Sequence, residues 1–130
     1  MTTKGWIGVD LDCTLAQYDG WINEHRIGAP IPKMVARVKK MLADGLDVRI
    51  FTARVDDGNP SIPIDDDPAG GKRYRDVEAI KRSIEAWCLE HIGKILPITN
   101  KKDYELIEFW DDRAIQVEPN TGRRMDGAED

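Results

Sequence analysis

Residues 6–14 read WIGVDLDCT, an apolar run that stops abruptly at acidic residues. The stretch from Trp6 to Asp10 is rich in residues that favour β-structure and is interrupted only by Gly8, which is typical of a buried strand. Asp10 and Asp12 stand where this strand ends. The sequence therefore predicts a buried strand whose carboxyl end carries two carboxylates.

Strand and helix patterns alternate along the chain on the carboxyl side of this strand. Apolar residues recur at helical spacing from Pro32 to Gly45, and again between a candidate N-cap at Asp76 and a stop at Gly93. The remaining strand candidates are residues 47–52, 95–99, 106–110 and 114–117. Parallel neighbours need crossover connections, so this alternation favours a parallel sheet with helices on its faces. We predict a single α/β domain built on one doubly wound parallel sheet of about five strands.

Length and composition limit the classes of protein that the chain can belong to. With 130 residues, 41% of them hydrophobic, it fits one domain, which we place at 1–122 before a flexible tail at 123–130. A formal net charge of -5 argues against a general nucleic-acid binder. No apolar run is long enough to span a bilayer, so we expect a cytoplasmic protein without a membrane partner. Two cysteines are too few for a disulfide framework.

Polar residues cluster where the predicted strands end. The successive strands are followed by Asp10 and Asp12, Thr52 and Arg54, Lys101 and Lys102, and Asp111 and Asp112. The carboxyl ends of parallel strands share one edge, where ligands bind in open α/β sheets, so we expect these segments to converge. Converging carboxylates repel one another, and oxygen ligands without histidine or cysteine favour Mg²⁺ over zinc. Mg²⁺ beside a carboxylate, a lysine and a hydroxyl suits phosphoryl transfer.

The segment Asp10-Leu11-Asp12-Cys13-Thr14 resembles the DxDxT signature of the haloacid dehalogenase (HAD) superfamily of phosphatases. A strand ending in Thr52 is similar to the second motif of that family, a lysine after the third strand to its third, and Asp111-Asp112 to its fourth. The motifs occur in the family's order, between Trp6 and about Gly122. The resemblance implies a Rossmann-like fold and Mg²⁺-dependent hydrolysis of phosphomonoesters. One departure is Cys13, where the family often has glycine.

The resemblance also implies a role for each matched residue. Asp10 is the nucleophile that forms an aspartyl-phosphate, and Asp12 is the acid that protonates the leaving alcohol and then activates water. Thr14 steadies the nucleophile loop or merely caps a turn. The phosphoryl oxygens are held by Thr52, Ala53, Arg54 and Lys102, with Lys102 favoured over Lys101. The Mg²⁺ ligands are Asp10, the backbone carbonyl of Asp12, and Asp111 or Asp112.

The substrate class follows from the short connections between the motifs. Residues 15–30 are too few for a folded cap domain, so the chain resembles a capless HAD phosphatase. An open site admits large substrates, or small ones enclosed by a second copy of the chain in a homo-oligomer. We expect a small phosphorylated metabolite or nucleotide. The alternative is a polynucleotide end, because Arg54 and Asp111-Asp112-Arg113 are similar to motifs of polynucleotide-end phosphatases, although the acidic loop nearby disfavours that partner.

Residues 55–73 are the longest stretch that we expect to be irregular. Proline and glycine recur through it, and it is the one loop long enough to serve as a lid over the site. Trp21, in a polar segment that glycines flank, is expected to line the entrance. Two structural interpretations stay open at the site: an aspartate after a strand is often a turn residue, and Arg54 could simply pair with an acidic neighbour.

Two other classes of function remain beside the hydrolase. A phospho-accepting receiver module also has acidic residues, a threonine and a lysine on a sheet of this size. In a receiver, however, the acidic pair comes first and the lysine late, whereas here the DxDxT segment comes first and Asp111-Asp112 follows Lys102. The third class is a binding protein that retains the site without catalysing a reaction.

Overall fold

The computed structural model of the chain describes residues 5–20, 25–56, 63–66, 72–74 and 76–128. These residues contain six strands and two helices: β1 (Trp6–Asp10), α1 (Pro32–Ala43), β2 (Asp47–Phe51), β3 (Pro63–Asp66), β4 (Lys72–Tyr74), α2 (Val77–His91), β5 (Ile98–Thr99) and β6 (Leu106–Trp110). A 3₁₀ turn, Ala53–Val55, follows β2. Neither described helix combines the length and the apolar composition needed to cross a membrane.

Four strands form one parallel sheet in the order β5-β2-β1-β6, which confirms an α/β fold with a parallel sheet. β1 is hydrogen-bonded to β2 on one side and to β6 on the other. The short edge strand β5 follows Pro97, which lacks an N–H but accepts a hydrogen bond from the Ile50 amide at 2.8 Å. The carboxyl ends of the four strands therefore lie along one edge.

The expected fifth strand, residues 114–117, is absent from the described part of the chain. Val117 instead forms an isolated antiparallel bridge with Arg124. The reason is the short connection: a parallel strand needs a crossover of about a dozen residues, and too few separate β6 from this segment. Part of the expected flexible tail is also hydrogen-bonded, since the Met125 amide donates to the Gln116 carbonyl at 2.9 Å.

Both described helices bury their apolar side chains in one cluster. Ile7 and Val9 of β1 are buried there with side chains from α1 and α2, including Val38 and Ile84. This arrangement differs from the expected doubly wound sheet, in which helices cover both faces. The chain moves in one direction across the sheet, from β1 to β2 to β5. Right-handed crossovers that advance in one direction place their helices on the same face.

The interval 55–73, predicted to be irregular, contains regular structure. β3 and β4 pair antiparallel as a hairpin, with Pro63 opposite Tyr74 and Asp66 opposite Lys72. Proline is tolerated at the first residue of a strand, where β3 has it. The prediction was wrong because it averaged the prolines and glycines over the interval, whereas residues 67–71 concentrate turn-forming types between two short strands.

The capping residue and the glycines that the sequence predicts at the helix ends lie at those ends in the structure. The Asp76 side chain accepts a hydrogen bond from the Ala79 amide at 3.1 Å and caps α2, as predicted. Gly93 follows α2 with φ 91° and Gly45 follows α1 with φ 82°, the left-handed conformation that glycine adopts at low cost. α1 leads directly into β2, and α2 leads through a short connection to β5.

Two hydrogen-bonded segments hold the loop that follows β1. The amides of Leu15 and Ala16 both donate to the Leu11 carbonyl. These two hydrogen bonds close a tight turn that contains residues 12–14. The Gln17 amide donates to the Ala29 carbonyl at 2.8 Å, so the chain before α1 runs beside this turn. The loop after β1 is therefore held both by hydrogen bonds within its own turn and by a hydrogen bond to the segment before α1.

Gly28 permits this close approach of two backbone segments. A Cβ atom on Gly28 would lie 1.9 Å from the Gln17 carbonyl oxygen, whereas one on Gly8 would meet only side-chain atoms, the nearest at 3.1 Å. Backbone cannot give way as a side chain can. We predict that Gly28→Ala lowers the free energy of unfolding by about 2–3 kcal/mol and that Gly8→Ala lowers it by less. Urea unfolding of both variants checks this, and equal losses would contradict it.

Candidate functional site

A cleft of about 430 Å³ lies at the carboxyl ends of β1, β2 and β6. Its lining comes from the three segments that follow these strands: Asp10, Asp12, Cys13, Tyr18, Phe51, Thr52, Ala53, Arg54, Phe109, Asp111, Asp112 and Arg113. The cleft therefore brings together the matches to the first, second and fourth motifs. Parallel pairing of β1 with both neighbours is what makes these distant segments adjacent.

Three carboxylates converge in the cleft. Asp10, Asp111 and Asp112 each offer an oxygen, and these oxygens all lie within 4.8 Å of one another. Burial of Asp10, then its hydrogen bond with Asp112 and the negative charges of Asp111 and Asp112, raise the pKa of Asp10 to about 7. The repulsion expected from the sequence is thus present, and Asp10 is partly protonated at neutral pH without a cation.

Asp12 lies outside this carboxylate cluster and pairs with Arg54. The Nε and Nη2 atoms of Arg54 donate to the two carboxylate oxygens of Asp12 at 2.8 and 2.9 Å. The Arg54 side chain is only 5% exposed. A forked contact of this kind fixes the orientation of both groups. Arg54 thus has the acidic partner that one interpretation of the sequence allowed, and that partner is the second aspartate of the DxDxT segment.

Two hydroxyl groups and one unusual backbone conformation complete the loops. The Thr14 hydroxyl donates to the Asp10 carboxylate at 3.3 Å, which lowers the pKa of Asp10 against the larger effects that raise it. The buried Thr52 hydroxyl accepts a hydrogen bond from the Arg54 amide at 3.2 Å and caps the start of the 3₁₀ turn. Cys13 has φ 71°, a left-handed conformation that costs a residue with a Cβ roughly 1–2 kcal/mol. The backbone at position 13 therefore has a conformation that favours glycine, although a cysteine occupies this position.

The predicted phosphate lysine is not among the residues that line the cleft. Lys102 places its Nζ atom 5.0 Å from the ring centroid of Phe109, which itself lines the cleft. Lys101 is exposed, and its amide donates to the Thr99 hydroxyl at 3.1 Å. Lys102 thus contacts one residue of the cleft lining, and the choice between Lys101 and Lys102 stays a prediction. Trp21, expected at the entrance, lies outside the described residues.

Sequence reasoning missed the aromatic part of the lining. Phe51, Phe109 and Tyr18 line the cleft although none of them belongs to a motif. Phe51 and Phe109 are the last or next-to-last residues of their strands, so their position at strand ends was the signal that could have found them. Arg113, which the sequence matches only to a motif of polynucleotide-end phosphatases, also lines the cleft, and its amide donates to the Asp111 carboxylate at 2.6 Å.

The carboxylate cluster suits a small divalent cation. Its donors are oxygens alone, and Mg²⁺ prefers one or two carboxylates together with water and substrate oxygens. Burial contributes most to the raised pKa of Asp10, and a cation would offset the further part that comes from the charges of Asp111 and Asp112. Comparison of the chain with known protein families, with curated proteins and with solved structures found no match.

The pair of Asp12 and Arg54 can be tested by a double-mutant cycle on stability. Because Arg54 is buried and binds both oxygens, we predict a coupling energy of about 1–3 kcal/mol between Asp12→Ala and Arg54→Ala. The matched control is the pair of Lys40 and Asp44, whose side chains are 78% and 53% exposed and whose coupling should be about 0–0.5 kcal/mol. Urea unfolding measures both. Similar coupling in the two cycles would show that Arg54 does not hold Asp12.

The raised pKa of Asp10 predicts how stability changes with pH when no metal is bound. Between its ordinary value of 3.8 and about 7, folded Asp10 keeps a proton that the unfolded chain has lost, so stability falls as pH rises. Asp10→Asn removes this loss. In a chelating buffer, we expect the variant's stability gain over wild type to be larger at pH 8 than at pH 5, by roughly 1–3 kcal/mol. A gain that is the same at both pH values would contradict the assignment.

Proposed function

We propose that the chain is a Mg²⁺-dependent phosphomonoester hydrolase of the HAD type that acts through an aspartyl-phosphate on Asp10. The observation that carries this proposal is the convergence of Asp10, Asp111 and Asp112 beside Thr52 at one edge of the sheet. These are the residues of the first, fourth and second motifs of the resemblance. A parallel α/β sheet with its cleft outside the strand ends is also compatible with a Rossmann-like, HAD-like fold, although both described helices cover the same face.

The first half of the proposed reaction uses the two aspartates of β1 and its loop. A carboxylate oxygen of Asp10 attacks phosphorus, the bond from phosphorus to the leaving oxygen breaks, and that oxygen takes a proton from Asp12. Thr14, which hydrogen-bonds to Asp10, orients the attacking carboxylate. Arg54 donates to both oxygens of the Asp12 carboxylate. When Asp12 carries the proton that it passes to the leaving oxygen, the protonated oxygen gives up its contact with Arg54.

The second half returns the site to its starting state. Asp12 takes a proton from water, the water oxygen attacks phosphorus, and inorganic phosphate leaves as the Asp10 carboxylate is restored. We assign Thr52, Ala53, Arg54 and Lys102 to binding of the phosphoryl oxygens. The Nζ atom of Lys102 stands over Phe109, a residue of the cleft lining, which places it beside the cleft in which the phosphoryl group would bind.

Asp10, Asp111 and Asp112 are the residues that hold the metal in this proposal, with the backbone carbonyl of Asp12 as a further ligand. When bound, Mg²⁺ supplies positive charge that offsets the repulsion among the carboxylates and neutralises phosphoryl oxygens. The backbone amide of Arg113 holds one oxygen of Asp111, so the orientation of that carboxylate is already restricted. This contact favours Asp111 as a fixed ligand and Asp112 as the more adaptable one.

The substrate that we propose is a small phosphorylated metabolite or nucleotide. The cleft volume of about 430 Å³ is within the range of small-molecule sites. Arg113, whose side chain is 86% exposed at the cleft, is the feature that keeps a polynucleotide end as the second candidate.

A panel of phosphate esters with Mg²⁺ tests the proposed reaction. We expect wild-type turnover, no turnover by Asp10→Asn, and a loss of about 10²–10⁴-fold in Asp12→Asn that is smallest for an aryl phosphate with an acidic leaving group. Asp44→Asn, which makes the same chemical change at the end of α1, is the control and should keep full activity. Full activity of Asp10→Asn would disprove the mechanism, and stable phosphorylation of the chain without turnover would favour a receiver module.

The metal requirement is part of the same test. A chelator should abolish turnover, and Mg²⁺ should raise the melting temperature in proportion to RT ln(1 + [Mg²⁺]/Kd). Asp111→Asn and Asp112→Asn should each weaken this rise, with the larger effect from Asp111→Asn. Undiminished activity in the chelator would remove Mg²⁺ from the proposal.

A further inference from the structure

Two phenylalanine rings lie on the same side of the sheet as the Asp10 side chain. Successive residues of a strand point to opposite faces, so Gly8 and Asp10 share one face and Val9 points to the other. Asp10 is paired with Phe51 on β2, and Gly8 is paired with Phe109 on β6. Paired residues of neighbouring strands face the same way. Phe51, Asp10 and Phe109 therefore rise from the face opposite the helix-covered cluster.

The two rings meet across the central strand. Their centroids are 4.9 Å apart and their planes cross at 77°, an edge-to-face contact. Gly8 makes room for this contact, since a Cβ atom there would lie 3.1 Å from the Phe109 ring. Lys102 sits over the Phe109 ring at 5.0 Å from its centroid. We call Phe51 and Phe109 the aromatic platform.

The aromatic platform lines the same cleft as the carboxylate cluster. Phe51 and Phe109 are both only half-buried, and Tyr18, which is 40% exposed, lines the cleft with them. One part of the cleft is therefore strongly acidic and another part offers apolar ring surface. A ligand that matches both parts has a phosphoryl group for the first and a flat apolar group for the second.

We propose that the leaving group of the substrate carries a planar aromatic ring that packs on the aromatic platform, an inference that rests on the proposed phosphomonoesterase function. Ring faces and edges pack well on phenylalanine, and base–aromatic stacking is a substantial source of binding free energy. A polyol leaving group buries hydroxyls against these rings without hydrogen-bond partners, which is unfavourable. Two sources supply such a ring: the base of a nucleotide, or an aromatic group bonded close to the phosphate oxygen.

Two matched substrate pairs test this inference without changing the leaving oxygen. Adenosine 5′-monophosphate is compared with ribose 5-phosphate, and benzyl phosphate with cyclohexylmethyl phosphate. We expect kcat/KM to be higher for the aromatic member of at least one pair, by about tenfold or more. Preference within the first pair identifies a nucleoside as the leaving group, and preference within the second identifies a ring near the phosphate. Ratios near one in both pairs, with turnover present, overturn the inference.

Variants connect the preference to the two rings. Phe51→Leu and Phe109→Leu keep apolar side chains but remove the rings, and each should lower the aromatic preference by about threefold or more. Tyr104→Leu removes a fully exposed ring outside the cleft lining and should keep the wild-type ratio. An unchanged ratio in both folded phenylalanine variants contradicts the inference. If neither variant folds, the wild-type ratios alone decide it.

Binding measurements separate this inference from the proposed function. Calorimetry in the presence of Mg²⁺ measures the affinity of the protein for the same four compounds. Wild-type protein is used for a compound that it does not hydrolyse. The Asp10→Asn variant, which should bind without turnover, is used for a compound that wild type hydrolyses. Tighter binding of the aromatic members without any turnover supports the aromatic platform and refutes the hydrolase. Turnover with equal affinities and equal kcat/KM supports the hydrolase and refutes the aromatic platform.

Discussion

Parallel hydrogen bonding of β1 on both of its sides is the constraint on which the rest of the structure depends. It places the ends of β2 and β6 next to Asp10, so that Thr52 and Asp111 become neighbours although they are far apart in the chain. The crossover through α1 fixes β2 on one side, and the return of the chain after β5 fixes β6 on the other. The strand order reverses at β1, which is where open α/β sheets form their ligand crevice.

Electrostatics then divides the acidic residues of this crevice into two groups. Asp10 lies among carboxylates and its pKa is raised to about 7, whereas Asp12, two residues on, is held by Arg54. The two carboxylates diverge at the tight turn after β1, in which Cys13, the residue after Asp12, adopts a left-handed conformation. Two identical side chains thus receive different surroundings, which is a common basis for separate roles of paired carboxylates.

Much of this arrangement could be predicted from the sequence, and the failures have definite physical reasons. Helical periodicity and capping located α1 and α2. The acidic strand ends indicated that Asp10, Asp111 and Asp112 converge, but not that Asp12 lies outside their cluster. The hairpin of β3 and β4 was missed because the turn-forming residues concentrated at 67–71 were averaged over the whole interval. The one-sided helix layer and the Arg54 contact with Asp12 depend on strand order and long-range packing, which local patterns do not contain. The extra strand at 114–117 was an apolar run without the connection that a parallel strand needs.

The pairing of Trp6 with Leu106 also has a consequence for the order of folding. β1, α1 and β2 are consecutive and close a short loop, so their contacts form at a low entropic cost. β6 pairs with β1 across most of the length of the chain, and such non-local pairing is slow. We therefore expect the carboxylates of Asp111 and Asp112 to reach Asp10 late in folding. Their repulsion then opposes the final step of assembly, and a cation present during folding would speed that step.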